Sequence, residues 1–148
     1  LPTDFYNNVF PLLRAGYYPI LAHAERYVSM MSKPSRARDL SERNIYIQTN
    51  AGSLIGHYGE KVRKTAWTMV ENGWTHFIAS DDHTRLPYFA MFEAYKQVCE
   101  RIDEHTAELL FSIHPRSIAN EEKILYQYVQ VHRKHHKRKK NWFVRLFG

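Results

Sequence analysis

The chain has 148 residues, of which 44% are hydrophobic and 14% aromatic, and its 21 Lys and Arg against 15 Asp and Glu give a formal net charge of +6. This composition is typical of one folded domain, and no apolar run approaches the roughly 20 residues that a transmembrane helix needs. Residues 132–148 hold seven of the bases and no acid, so residues 1–131 carry 14 bases against 15 acids, which argues against nucleic-acid binding by the body of the chain.

The hydrophobic pattern alternates between helices and short apolar strands. The predicted elements, in chain order, are a helix from Phe5 to Gly16, a buried strand at 18–22, a broken helical stretch at 28–43, a strand at 45–50, a Gly-rich turn at 52–59, a helix from Val62 to Gly73, a strand at 75–80 and a helix from Tyr88 to Ile102. Strands joined by crossover helices pair in parallel, which predicts an α/β fold, either a doubly wound sheet or a (β/α) barrel.

Polar side chains follow each predicted strand, where parallel α/β folds place their working residues. The strand ends read AHAERY (22–27), NAGS (50–53) and SDDHTR (80–85). Asp81 and His83 project to the same side of an extended chain, and a carboxylate with an imidazole suits Mn²⁺, Zn²⁺ or Fe²⁺. His23 is a candidate third ligand from another strand end. A hydrogen-bonded loop is the alternative interpretation of the Asp-x-His pattern.

Two arginines follow these candidate ligands closely. Arg26 and Arg85 offer planar sets of N–H donors that suit phosphate oxygens, so metal and arginine together predict a phosphoryl substrate. Surface pairing of these arginines with Glu25 or Asp82 is the alternative.

Three segments in register carry a resemblance. The runs YPILAHAERY, IQTNAGSLIG and HFIASDDHTR resemble the C-terminal half of the PHP-family protein-tyrosine phosphatases of bacterial capsule and exopolysaccharide loci. The resemblance extends from about residue 5 to about residue 119, where HPRSI is similar to a late Asn-Pro-Arg segment of the family. It implies the C-terminal portion of a distorted (β/α) PHP barrel, with a divalent metal cluster of Mn²⁺ type, or Fe or Zn, at the strand ends.

The resemblance also implies roles for individual residues. His23, Asp81 and His83 match metal ligands, and Arg26 matches an arginine that holds substrate phosphate. Arg85 matches a second arginine if the loop after His83 is shortened here.

This chain departs from the family pattern at several positions. Ala24 replaces a usual Pro, Thr84 a usual Asn, and Asp82 a usual small residue, which adds a carboxylate that competes with Asp81 for metal. The family's early His-x-His, middle His and Glu ligands are expected upstream of Leu1, so the chain is expected to be a piece of a longer protein carrying about half of a site.

The remaining candidate residues have more modest expected roles. Asn50 and Ser53 are supporting substrate-site candidates, because they follow the second strand. His76, His105 and His114 are expected to be structural and His57 exposed, while Cys99 lies in the apolar stripe of the last helix and is expected to pack. The sixth residue after Cys99 is His105, so the Cys-x₅-Arg pattern of cysteine-dependent tyrosine phosphatases is missing.

The resemblance implies metal-assisted hydrolysis of phosphotyrosine on a bacterial tyrosine autokinase, in the cytoplasm, by an enzyme that controls polysaccharide synthesis. Residues 1–120 are expected to form the phosphatase part, 121–131 an extension and 132–148 a basic-aromatic tail. The tail is a candidate anchor for an anionic membrane surface, with a solvated terminus as the alternative. Two alternative functions stay open: a non-catalytic binding or regulatory module, and another PHP phosphoesterase such as a histidinol-phosphatase-like enzyme. A homo-oligomer is also open.

Overall fold

The computed structural model describes residue 1, residues 4–81 and residues 87–124, apart from the side chains of Pro87 and Tyr88. The elements in chain order are α1 (Phe5–Arg14), β1 (Ile20–Leu21), a 3-10 turn (Ala24–Arg26), α2 (Val28–Ser32), α3 (Arg36–Ser41), β2 (Tyr46–Asn50), α4 (Ala51–Leu54), α5 (Glu60–Glu71), β3 (Phe77–Ala79), α6 (Pro87–Arg101), α7 (Glu104–Glu108), a π-helical turn (Leu109–Ile113) and α8 (His114–Ala119). The predicted alternation of helices and strands is therefore confirmed.

The strands form one parallel sheet in the order β1-β2-β3. In β1 and β2, Leu21 pairs with Ile47, and in β2 and β3, Asn50 pairs with Ala79. All five residues of β2 are buried. Because all three strands run the same way, their carboxyl ends share one edge of the sheet. The parallel α/β architecture is confirmed, and the barrel stays a prediction.

Two clusters of buried apolar side chains hold the helices to the sheet. The first contains Ile78 of β3 and the second contains Ile47 of β2. Helix α5 joins the clusters, because Trp67 packs in the first and Met69 in the second, two positions further along the helix. Cys99 is partly buried against the first cluster, as expected from its place in the apolar stripe.

The first strand is shorter and more exposed than the sequence predicts. Only Ile20 and Leu21 pair with β2, and Ile20 is 44% exposed instead of buried. The strand stops because the backbone of His23 turns into the left-handed region, with φ 38°. The predicted Gly-rich turn begins with α4, whose first backbone groups are capped by Asn50.

Part of the sequence interpretation concerns residues outside this description. His83, Arg85, Asp82 and Thr84 lie outside the described residues, and so does the tail at 132–148. The membrane contact of the tail therefore stays a prediction. In the described part of the chain, no helix is long and apolar enough to cross a membrane.

Two histidines connect the sheet to the C-terminal helices. His76 is buried just before β3, and its Nδ1 accepts a hydrogen bond from the Ile47 amide at 3.0 Å. The Nδ1 of buried His114 lies 2.6 Å from the carbonyl oxygen of His76. Burial and, to a smaller extent, the nearby His114 lower the pKa of His76 from 6.5 to about 3. Both histidines are structural, as predicted.

The lowered pKa of His76 predicts that acid destabilises the fold. The unfolded chain takes up a proton below pH 6.5 that folded His76 does not accept until about pH 3. Between these values the free energy of unfolding is expected to fall by about 1.4 kcal/mol per pH unit on account of this group. Urea unfolding at a series of pH values measures the slope. His76→Gln should flatten it, while His57→Gln, at an exposed position, should not. Equal slopes in all three proteins would contradict the assignment.

Candidate functional site

The turn after β1 carries the first group of candidate residues. His23 adopts φ 38°, and its amide donates a 2.6 Å hydrogen bond to Oε1 of Gln48 on β2. The following 3-10 turn, Ala24–Arg26, points consecutive side chains in different directions: Glu25 is fully buried, whereas Arg26 is exposed. The turn therefore gives adjacent residues of the AHAERY segment separate roles.

Glu25 joins this turn to the start of α4. Its Oε1 accepts hydrogen bonds from the Asn50 amide at 3.1 Å and from the Ser53 hydroxyl at 2.5 Å. Its other oxygen, Oε2, is buried and has no hydrogen-bond partner among the described residues. Burial raises the pKa of the Glu25 carboxyl, and the hydrogen bonds from Ser53 and Asn50 oppose that rise. The alternative in which Arg26 pairs with Glu25 on the surface is wrong, because the Glu25 carboxylate faces inward.

Asn50 connects the second strand end to the third. It is the N-cap of α4, and its Oδ1 accepts a 2.7 Å hydrogen bond from the Gly52 amide. Its Nδ2 donates to Oδ2 of Asp81 at 3.4 Å. Both Asn50 and Ser53 are buried, so the supporting residues predicted from the sequence lie beneath the site.

Asp81 receives contacts from both of the other strand ends. It is the second residue after β3 and has φ 47°, and its Oδ2 lies 3.5 Å from Nη1 of Arg26. The Arg26 guanidinium also lies over the ring of Tyr58, with Cζ 4.5 Å from the ring centroid. The two side chains of the ion pair are 40% and 32% exposed, so their pairing contributes at most about 1 kcal/mol.

The structure thus brings Arg26, Asn50 and Asp81 together and places His23 at the same edge of the sheet. The sequence did not point to Tyr58 or Gln48, and it suggested Glu25 only as a surface partner of Arg26. The position of Glu25 between His23, a candidate metal ligand, and Arg26, a candidate phosphate-binding residue, was the one sign in the sequence that it belongs to the site. The contact between Tyr58 and Arg26 depends on the conformation of the turn after α4, which no residue pattern predicts.

The described residues at this edge suit a divalent cation in type but not in number. An imidazole from His23 and a carboxylate from Asp81 are ordinary ligands of such metals. Four non-glycine residues in the described chain have a positive φ, and His23 and Asp81 are two of them. Backbone strain of this kind is concentrated at functional sites. The described residues nevertheless contain no group of three His, Cys, Asp or Glu side chains that could hold a metal ion.

Comparison with known proteins finds a matching family model and several similar proteins. Residues 3–120 match the family model for capsular polysaccharide synthesis, CpsB/CapC. The tyrosine-protein phosphatase CpsB of Streptococcus agalactiae serotype III is 30% identical over 123 residues, covering 78% of this chain and 50% of that protein. CpsB of Streptococcus pneumoniae is 33% identical over 115 residues, covering 72% and 46%.

A solved structure extends the similarity to the fold. It comes from the crystal structures of YwqE from Bacillus subtilis and CpsB from Streptococcus pneumoniae, which are metal-dependent tyrosine phosphatases. The TM-score is 0.78 at 26% sequence identity, over 86% of this chain and 51% of that chain. This chain spans about half the length of the curated relatives it matches.

The buried carboxylate of Glu25 generates a stability prediction. Glu25→Ala leaves the Asn50 amide and the Ser53 hydroxyl without their acceptor, and should lower the free energy of unfolding by about 1–3 kcal/mol. Glu25→Gln keeps an acceptor oxygen and should recover most of the loss. Urea unfolding followed by tryptophan fluorescence measures both. The control is Glu42→Ala, because Glu42 forms only an exposed pair with Arg38. A loss at Glu25 no larger than at Glu42 would show that the buried carboxylate is not a structural link.

Proposed function

The chain belongs to the CpsB/CapC family, and from this premise we propose that residues 1–120 form the C-terminal part of a distorted (β/α) barrel phosphatase domain. The parallel sheet with crossover helices supports this architecture. Its relatives are about twice as long as the matched segment. On this proposal, the extension at 121–131 and the tail at 132–148 follow the domain.

We propose that the complete protein is a metal-dependent phosphatase for phosphotyrosine in proteins. The single observation that carries the proposal is the convergence on Asp81, whose Oδ2 is contacted by Arg26 from the first strand end and Asn50 from the second. A bacterial tyrosine autokinase that acts in polysaccharide synthesis is the proposed substrate, and the cytoplasm is the proposed compartment. The names of the relatives support this choice of substrate class.

In this proposal, His23 and Asp81 hold metal, together with His83, and further ligands come from the part of the domain that the relatives have in addition. A bound divalent cation, with Mn²⁺ as the first choice, supplies Lewis-acid chemistry to phosphoester hydrolysis. Asn50 orients the Asp81 carboxylate through its 3.4 Å hydrogen bond. The buried Glu25 fixes the turn that carries His23.

Arg26 has the role of binding the phosphoryl oxygens, with Arg85 as the second arginine. A guanidinium offers several N–H donors to phosphate in one plane, and its charge offsets the charge that develops on the oxygens. The pair with Asp81 is exposed and weak, so Arg26 can exchange that carboxylate for a phosphate without a large energetic cost.

A binding or regulatory module is the second candidate function. It is favoured by the exposed Arg26 guanidinium, which can bind a phosphoryl group whether or not a metal is present. Such a module binds a phosphotyrosine protein without hydrolysing it.

Substitution of Arg26 tests the enzymatic proposal. In the protein expressed from its complete gene, Arg26→Gln should lower kcat/KM for a phosphotyrosine peptide by about 10²–10³-fold, because a donor to the phosphoryl oxygens is lost. Asp81→Asn should also reduce bound Mn²⁺, measured by metal analysis. The control is Arg38→Gln, since Arg38 on α3 forms an exposed pair with Glu42, which follows the helix.

Three results separate the candidates. Turnover that requires a divalent metal and collapses in Arg26→Gln supports the enzyme. Binding of the peptide without turnover supports the module. Turnover that is unchanged in Arg26→Gln contradicts the proposed site.

A further inference from the structure

Tyr58 lies beside the proposed phosphate site but belongs to no motif considered so far. It stands in the turn after α4, and the Arg26 guanidinium carbon is 4.5 Å from its ring centroid. Tyr58 is 41% exposed, so it lies at the surface of the site. Among the described side chains, Arg26 therefore has two partners, the Asp81 carboxylate and the Tyr58 ring.

The two partners differ in whether they use an N–H donor of the Arg26 guanidinium. The carboxylate of Asp81 takes up an N–H donor of Arg26 and is itself proposed to bind metal. The Tyr58 ring attracts the cation as a whole and needs none of its five N–H donors. The contact with Asp81 takes one N–H donor from Arg26, a donor that is freed for phosphate only when this weak contact breaks. The contact with the ring takes none, so Tyr58 is the partner that does not compete with a bound phosphate for N–H donors.

The Tyr58 ring is held against backbone that the site already fixes. A Cβ atom added at Gly52 would lie 3.1 Å from Cε2 of Tyr58, so the ring packs closely on the first turn of α4. That turn is tied to the AHAERY segment through the hydrogen bond between Ser53 and Glu25. Arg26 and the ring that supports it are consequently anchored to the same buried carboxylate.

We propose that Tyr58 is a positioning residue that holds the Arg26 guanidinium toward the phosphoryl group of the substrate. The inference rests on the phosphatase function proposed above and adds to it a residue that acts through Arg26. The ring restricts the guanidinium before substrate arrives, which lowers the entropic cost of binding phosphate.

The test compares Tyr58→Leu with Tyr58→Phe in the protein expressed from its complete gene. Leu removes the aromatic face, and should raise KM for a phosphotyrosine peptide and the inhibition constant of inorganic phosphate by about two- to fivefold. Phe keeps the face and should match the wild type. In an Arg26→Gln background, Tyr58→Leu should cause no further loss of phosphate binding, a result that general damage to the fold would not give. Tyr17→Leu is the control, since Tyr17 is 66% exposed and lies before β1.

The outcomes distinguish this inference from the proposed function. If the wild type hydrolyses the peptide and Tyr58→Leu behaves like the wild type, the inference is wrong and the phosphatase assignment stands. If the wild type binds phosphate without turnover and only Tyr58→Leu weakens that binding, the inference stands and the enzymatic proposal fails. Equal losses in the Leu and Phe variants, further loss in the Arg26→Gln background, or no phosphate binding by the wild type would each overturn the inference.

Discussion

The arrangement of the site depends on one buried carboxylate. Glu25 reaches from the turn after β1 to the Asn50 amide and the Ser53 hydroxyl, so it links the ends of two neighbouring strands. A carboxylate without exposure is costly to desolvate, and burial raises its pKa accordingly. Removing its acceptor oxygen, as in Glu25→Ala, would break both hydrogen bonds that link the strand ends and that offset the cost of desolvation.

This rigid base supports contacts that are weak and exchangeable. The Arg26 and Asp81 side chains meet at 3.5 Å in partly exposed surroundings, where an ion pair contributes about 1 kcal/mol at most. Such a pair is suited to residues that must also bind other groups, a phosphate in one case and a metal in the other. The buried hydrogen bonds beneath the site therefore supply most of its stability. The side chains proposed to bind substrate make weaker contacts and can exchange partners.

The sequence predicted the parallel sheet and the edge at which the polar residues collect, because the order and type of the helices and strands follow from hydrophobic periodicity. It also selected Arg26, Asn50 and Asp81, which the structure brings into contact. It did not predict the inward direction of Glu25, because that depends on the left-handed backbone at His23, which precedes the 3-10 turn. Nor did it predict the short first strand, because the same turn ends the pairing with β2 after two residues.

Metal and phosphate are proposed to share one site at the carboxyl edge of the sheet. The most direct measurement is anomalous diffraction at the manganese edge, on crystals of the protein grown with Mn²⁺ and inorganic phosphate. The account predicts a manganese peak at Asp81 and His23, with phosphate oxygens on the N–H groups of Arg26. Manganese absent from Asp81, with the Arg26 contact to Asp81 intact and phosphate bound elsewhere, would contradict it.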